Sequence, residues 1–334
     1  MLSRLTDDIS LLKLPIPYDL GEVNSYLIKG DKGFTIIDTG DDTEETKQIW
    51  LKIFAEYKIE KVVITHCHYD HMGLAGWMQE QFGVPVWMSD KTYDELKRVR
   101  TFFVDGIYTS PVPALFHAYG GPEIVQDAGY YLYEKYQFKP NQIFTENDYI
   151  NIGDTPYRAI WTPGHSPDHF CFYNGNNGIL FVGDHILNAI NPIVLIQQVG
   201  ENPLRDYIHA IRKIEQCSVK YMLTGHKEMI ENPSKRILDL KDHYRKRWMQ
   251  IYEQLDNEGK NAFDISRQIY GRNIVDERTL SGFMQTITNL EYLQSNGFAR
   301  KEEGNGIFYF YKSSKFFNQN KDTNVRGSLC NNHF

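Results

Sequence analysis

Cysteine is scarce in this sequence. Its four copies, Cys67, Cys171, Cys217 and Cys330, never come close enough to form a Cys-x-x-Cys pair. The spacing suits reduced thiols, as expected of a cytoplasmic chain, and offers no disulfide framework. Long hydrophobic runs are missing too, and nothing approaches the roughly 20 apolar residues of a membrane span. The opening "MLSRLTDDISLLKLPIPYDL" has no long apolar core followed by a small-residue cleavage site, so no signal peptide is expected. Positive charge is in deficit: 36 Lys and Arg against 43 Asp and Glu leave a net charge of −7. That balance lacks the broad basic footprint of a nucleic-acid binder. What is present is an ordinary globular composition over 334 residues, enough for one large domain or two smaller ones.

Short apolar runs recur, each closed by turn residues. "VNSYLIKG" and "GFTIIDTG" predict a hairpin turning at Gly30-Asp31-Lys32-Gly33. The spacing of Ile49, Trp50, Ile53 and Phe54 predicts a helix in "TEETKQIWLKIFAEY", and "KVVIT" then predicts a buried strand. "GLAGWMQEQFG" predicts a short helix and "VPVWMS" another strand, giving strand and helix in alternation. The second half repeats the style, with strands in "YINIG", "YRAIWTPG", "HFCFYN" and "GILFVGD", a helix in "PLRDYIHAIRKIEQC" and a last strand in "VKYMLTGH". A first domain is therefore expected over residues 1–234. Within it, about 91–147 reads as a helical, aromatic-rich insertion: Phe102, Phe103, Tyr108, Phe116, Tyr119, Tyr130, Tyr131, Tyr133 and Tyr136 either pack on the sheet or form a lid. Residues 235–312 read as three helices and two strands around Gly304-Asn305-Gly306, a winged-helix-like shape. The tail, 313–334, is polar and aperiodic, and no order is expected there.

The chemistry concentrates in "VVITHCHYDHMGLAGW". Imidazoles and carboxylates are the ligands borderline metals prefer. Residues two apart on a strand point the same way, so His66 and His68 can share one metal if the strand runs to the end of the motif. Asp70 and His71 fall where the chain turns into a helix and could reach a second metal. A lone Asp there is commonly an N-cap, and a lone His commonly structural. Four such residues inside six positions outweigh both alternatives. Further polar residues follow apolar strands directly: His165 in "TPGHSPDHF", Asp184 in "ILFVGDHIL" and His226 in "MLTGHKE". All would open on one sheet edge, as a site built from strand-end loops requires. His169 and His185 stand beside these residues, either orienting a neighbour or facing substrate.

The pattern His66-x-His68-x-Asp70-His71, then His165, Asp184 and His226, with Asp38 in "IIDTG", resembles the metallo-β-lactamase superfamily in its glyoxalase II-like, two-metal branch. The resemblance spans roughly residues 10–232. It implies an αββα sandwich, here followed by the small C-terminal domain. It also implies His66, His68 and His165 on one metal, Asp70, His71 and His226 on the other, and Asp184 bridging. The implied cofactors are two zinc ions, with iron or manganese as alternatives. The implied activity is hydrolysis of a small thioester or ester by a metal-bridging hydroxide, Asp70 assisting with a proton, and His169 and His185 as further catalytic candidates. Lys227 departs from the glycine often found after the last histidine. Leu187, where N-acyl homoserine lactonases carry Tyr, weakens a lactonase assignment, and Asp184 argues against β-lactam cleavage. A metal-dependent phosphodiesterase or ribonuclease is the rival enzyme. A nucleic-acid-binding regulator with a relic metal site is the rival outside enzymology, but its recognition helix, Glu277 to Asn296, sets Arg278 against Glu277 and Glu291. The expected partner is a small molecule, with no membrane or nucleic acid, and the C-terminal domain walls the pocket, packs on the catalytic domain or makes a homodimer.

Overall fold

Turn and cap chemistry fixes the first elements. The structure, a computed structural model of the protein, describes residues 2–17, 19–104, 107–124, 137–271 and 277–313. Strands β1 (Leu2–Arg4), β2 (Ile9–Pro15), β3 (Glu22–Gly30) and β4 (Gly33–Ile37) run antiparallel in sequence order, with Gly30 opposite Gly33 at the expected hairpin. Gly33 has φ 143°, and a Cβ there would come within 2.6 Å of the Lys58 carbonyl oxygen, so only glycine fits. Helix α1 (Glu44–Glu56) starts where the Thr43 side chain accepts from the Thr46 N–H, and it buries Trp50 and Ile53.

Strand β5 (Ile59–Val63) pairs parallel with β4. After the one-turn helix α2 (Tyr69–Met72) and α3 (Ala75–Phe82), strand β6 (Val86–Ser89) pairs parallel with β5. The segment read as a helical insertion begins with α4 (Asp90–Thr101), the two-residue strands β7 (Phe103–Val104) and β8 (Ile107–Tyr108), and α5 (Val112–Ala118). It ends in β9 (Gln142–Phe144), which joins β6 as the seventh strand of the first sheet. A strand there was not expected: three residues are too short to show a period. Tyr130, Tyr131, Tyr133, Tyr136 and the side chain of Tyr108 lie outside the described residues, as does the tail beyond 313.

The second sheet holds β10 (Tyr149–Ile152), β11 (Thr155–Trp161), β12 (Phe170–Asn174), β13 (Ile179–Gly183) and, after α6 (Pro203–Glu215), β14 (Tyr221–Thr224). Its pairs are antiparallel except β13 with β14. The two sheets share one apolar core, in which Tyr26, Ile37 and Val63 of the first meet Phe170, Phe172 and Phe181 of the second. A second core lies between the outer face of the first sheet and helices α1, α3 and α4, around Trp50, Met78 and Leu96. This mixed α/β arrangement is the one expected.

The helical C-terminal region is present as α7 (Pro233–Tyr252), α8 (Ala262–Tyr270) and α9 (Glu277–Ser295), followed by the antiparallel pair β15 (Ala299–Gly304) and β16 (Ile307–Lys312). The described residues within Met1–Tyr108, Gly129–Pro192 and Lys213–Arg236 form one compact unit, holding both large sheets, and those within Thr109–Ala128, Ile193–Arg212 and Ile237–Phe334 form another. In the second unit Phe116 packs edge-on against Phe283, and Tyr119 donates to the buried Glu291 carboxylate at 2.6 Å. Those two aromatics are packing groups. No helix among the described residues is long and apolar enough to cross a membrane.

Candidate metal centre

The polar residues singled out in the sequence lie near strand ends of the first unit, with Asp70 and His71 on α2 and His169 just before β12. Asp38 follows β4 in a left-handed conformation, φ 60°. Its carboxylate accepts from the Thr65 N–H at 2.9 Å and the Thr65 hydroxyl at 2.8 Å, and its Oδ2 lies 2.7 Å from His71 Nδ1. It acts as a brace, turning the Nε2 of His71 inward.

The expectation for His66 and His68 needs correction in its mechanism. Strand β5 ends at Val63, so the His-x-His segment is a loop and alternation along a strand does not aim the rings. Hydrogen bonds aim them instead, some local and some from distant loops. Thr65 Oγ1 meets His66 Nδ1 at 2.9 Å, while the Cys67 N–H donates to Asp168 Oδ2 at 2.8 Å. His68 Nδ1 then sits 3.0 Å from His66 Nε2 and 2.9 Å from His165 Nε2. Cys67 points away from this cluster and is buried in the core. Asp70 and His71 lie on α2, whose N-cap position is His68, so Asp70 is not the cap.

Asp184 closes the centre from the end of β13. Its Oδ1 is 3.5 Å from His71 Nε2, and its Oδ2 is 3.4 Å from His165 Nε2 and 3.3 Å from His226 Nε2. Asp70 Oδ2 faces His226 Nε2 at 3.2 Å. Potential ligand atoms fall into three groups, each within 4.8 Å: His66, His68 and His165; His66, His71 and Asp184; Asp70, His71 and His226. The structure thus brings together all seven residues marked as ligands. It leaves His169 and His185 outside those groups. His169 is fully buried, its Nε2 accepting from the Asp184 N–H at 3.1 Å and its Nδ1 meeting Thr162 Oγ1 at 2.8 Å. His185 is also buried, its ring 6.1 Å from that of His169.

Burial pushes His66, His68, His169 and His185 toward neutrality, with His68 and His185 down to about 3. Burial acts the same way on His71 and His226, but the Asp184 and Asp70 carboxylates outweigh it. His71 rises well above its ordinary value and His226 to about 9. Burial in turn opposes ionisation of Asp70 and Asp184, yet His71 and His226 hold Asp70 down to about 2 and Asp184 well below the usual range. Three atoms at the centre, His71 Nε2, Asp184 Oδ1 and His226 Nε2, are buried with no hydrogen-bond partner. Buried polar atoms in that state call for an ion or another ligand. Imidazole and carboxylate donors so placed fit divalent metals.

Several residues went unnoticed in the sequence. Asp168, inside "SPDH", is buried, and burial together with the nearby Glu95 charge raises it to about 7. The Glu22 carbonyl oxygen lies 2.7 Å from His226 Nδ1, and Asn24 Nδ2 donates to the Thr224 and Lys227 carbonyls at 3.0 and 2.8 Å. Main-chain partners leave no mark in a residue pattern. Lys227 takes φ 62° where a glycine would be relaxed, and its Nζ donates to the Leu20 carbonyl at 3.0 Å.

A family model described as the metallo-beta-lactamase superfamily matches residues 18–226. The chain is similar to a Bacillus subtilis protein named a probable metallo-hydrolase, 24% identical with 91% of this chain and 98% of that one covered. It is 25% identical to an atrochrysone carboxyl ACP thioesterase of Aspergillus fumigatus over 73% of this chain and 62% of that one. Over 28% of this chain and 37% of that one, it is 36% identical to a hydroxyacylglutathione hydrolase of Francisella tularensis subsp. novicida. Among solved structures, a beta-lactamase domain protein from Burkholderia ambifaria superposes with a TM-score of 0.80 at 22% identity, covering 93% of each chain.

Proposed function

The chain belongs to the metallo-beta-lactamase superfamily, and from that premise we propose that this metal-dependent hydrolase holds two zinc ions and cleaves a small thioester or ester. The convergence of seven imidazole and carboxylate side chains, three of them with buried atoms lacking hydrogen-bond partners, carries the proposal. His66, His68 and His165 would hold one ion, Asp70, His71 and His226 the other, and Asp184 would touch both. Such ions, when bound, supply Lewis acidity and lower the pKa of water toward about 7. The protein's own part is orientation and proton handling. Asp38 and Glu22 fix the rings of His71 and His226 from behind, and His169 holds the Asp184 main chain. Asp70 has its side chain 17% exposed against 7% for Asp184. Held ionised, it is therefore the carboxylate placed to accept a proton and relay it to a departing group.

The relatives named a thioesterase and a hydroxyacylglutathione hydrolase support acyl substrates over phosphodiesters. So does the net charge of −7, since polynucleotides require repeated phosphate contacts. We place the protein in the cytoplasm, with residues 235–312 as a winged-helix-like accessory domain. Metal analysis of purified protein, followed by a panel of thioesters, esters, lactones and RNA, tests the assignment. About two metals per chain and salt-insensitive turnover of a thioester or ester are expected, with both occupancy and turnover lost in Asp184→Ala. RNA cleavage that collapses with added salt, with no acyl turnover, would transfer the site to the nucleases.

A further inference from the structure

We infer that Asp168 is the positioning residue of the His66, His68 and His165 group, joining the two loops that supply it. The inference rests on the ligand assignment proposed above. His66 and His68 come from the loop after β5 in the first sheet, and His165 from the loop between β11 and β12 in the second. Covalent continuity therefore cannot set their separation. The N–H between the two histidines of the first loop, that of Cys67, donates to Asp168 Oδ2 at 2.8 Å. Asp168 belongs to the second loop and is 1% exposed. Its other oxygen accepts the Ser166 hydroxyl, one residue from His165. Its own carbonyl accepts the Thr92 hydroxyl of α4 at 3.3 Å. One carboxylate thus holds the middle of the His-x-His segment against the residue next to His165. The other metal group has separate supports, Asp38 behind His71 and the Glu22 carbonyl behind His226.

A carboxylate that merely stabilised the fold would affect both metal groups alike, whereas a positioning residue acts on one. Cobalt titrated into the metal-free, full-length protein, followed by visible absorption and equilibrium dialysis, separates these roles. Wild type should take up two ions. Asp168→Ala should weaken one class by about 10–100-fold, the range for partners behind a ligand, and leave the other unchanged. The weakened class should be the one missing in His165→Ala. Asp168→Asn, which keeps an acceptor oxygen, should restore most of the loss. Should the alanine variant fail to fold, Asp168→Ser, whose hydroxyl falls short of the Cys67 N–H, is measured the same way. Equal weakening of both classes, or of neither, overturns the inference and leaves the proposed function standing. A wild-type chain that does not bind two ions overturns both, a failure visible before any variant is made.

Discussion

At the scale of single residues, the centre is crowded enough that a methyl group decides its fate. A Cβ at Gly225 would collide with the Asp184 carboxylate and come within 2.8 Å of His71 Cε1. Gly225→Ala should therefore displace Asp184 at an overpacking cost of roughly 1–3 kcal/mol. Metal content and turnover should fall together while circular dichroism stays that of the wild type, and full metal content in the variant would contradict this. Asp168 supplies a second prediction, in pH. Its pKa is raised by burial and Glu95 from an ordinary 3.8 to about 7, so between those values the folded chain holds a proton that the unfolded chain releases. The stability this proton contributes is fully present below about pH 4 and is lost as pH rises through 7. Asp168→Asn has no such proton. Its thermal midpoint, measured against wild type from pH 4 to 8, should gain on wild type as pH rises and level off above 7.

Among the elements, legibility followed local pattern. Strands β10 to β13 could be read because each apolar run is closed by Gly, Pro or Asn, and α1 because Trp50 and Ile53 share a face. Strand β2 buries alternate stretches of "ISLLKLP" yet was read only for the absence of a signal peptide, and β9 is too short to signal itself. The ligands were legible because their residue types are rare and clustered. What aims them was not, since Asp38 reaches Thr65 across 27 positions and Asp168 reaches Cys67 across 101. Helix α4 carries a testable local device. The Ser89 hydroxyl accepts from the Thr92 N–H at 2.9 Å and meets the Thr92 hydroxyl at 2.8 Å. Ser89→Ala should cost about 1 kcal/mol. In urea this appears as a lower midpoint with an unchanged slope.

For the whole molecule, metal is expected to act as a folding ligand. Removing it with a chelator should lower the thermal midpoint, and restoring it at about 1,000 times its dissociation constant should return about 4.1 kcal/mol per site. A midpoint indifferent to metal would remove the centre from any role in stability. The order of events matters as much as the amount. Four of the seven proposed ligands lie within six residues, His66 to His71, yet the proposed assignment divides them, His66 and His68 with His165, Asp70 and His71 with His226. An unfolded chain has no such division, and the same six residues form a flexible chelate able to capture a single ion by themselves. Metal present from the start of refolding would then stabilise a loop that must be undone before the sheets can meet. Refolding in excess zinc should consequently show a slow phase that vanishes when the chain folds first and receives its metal afterwards.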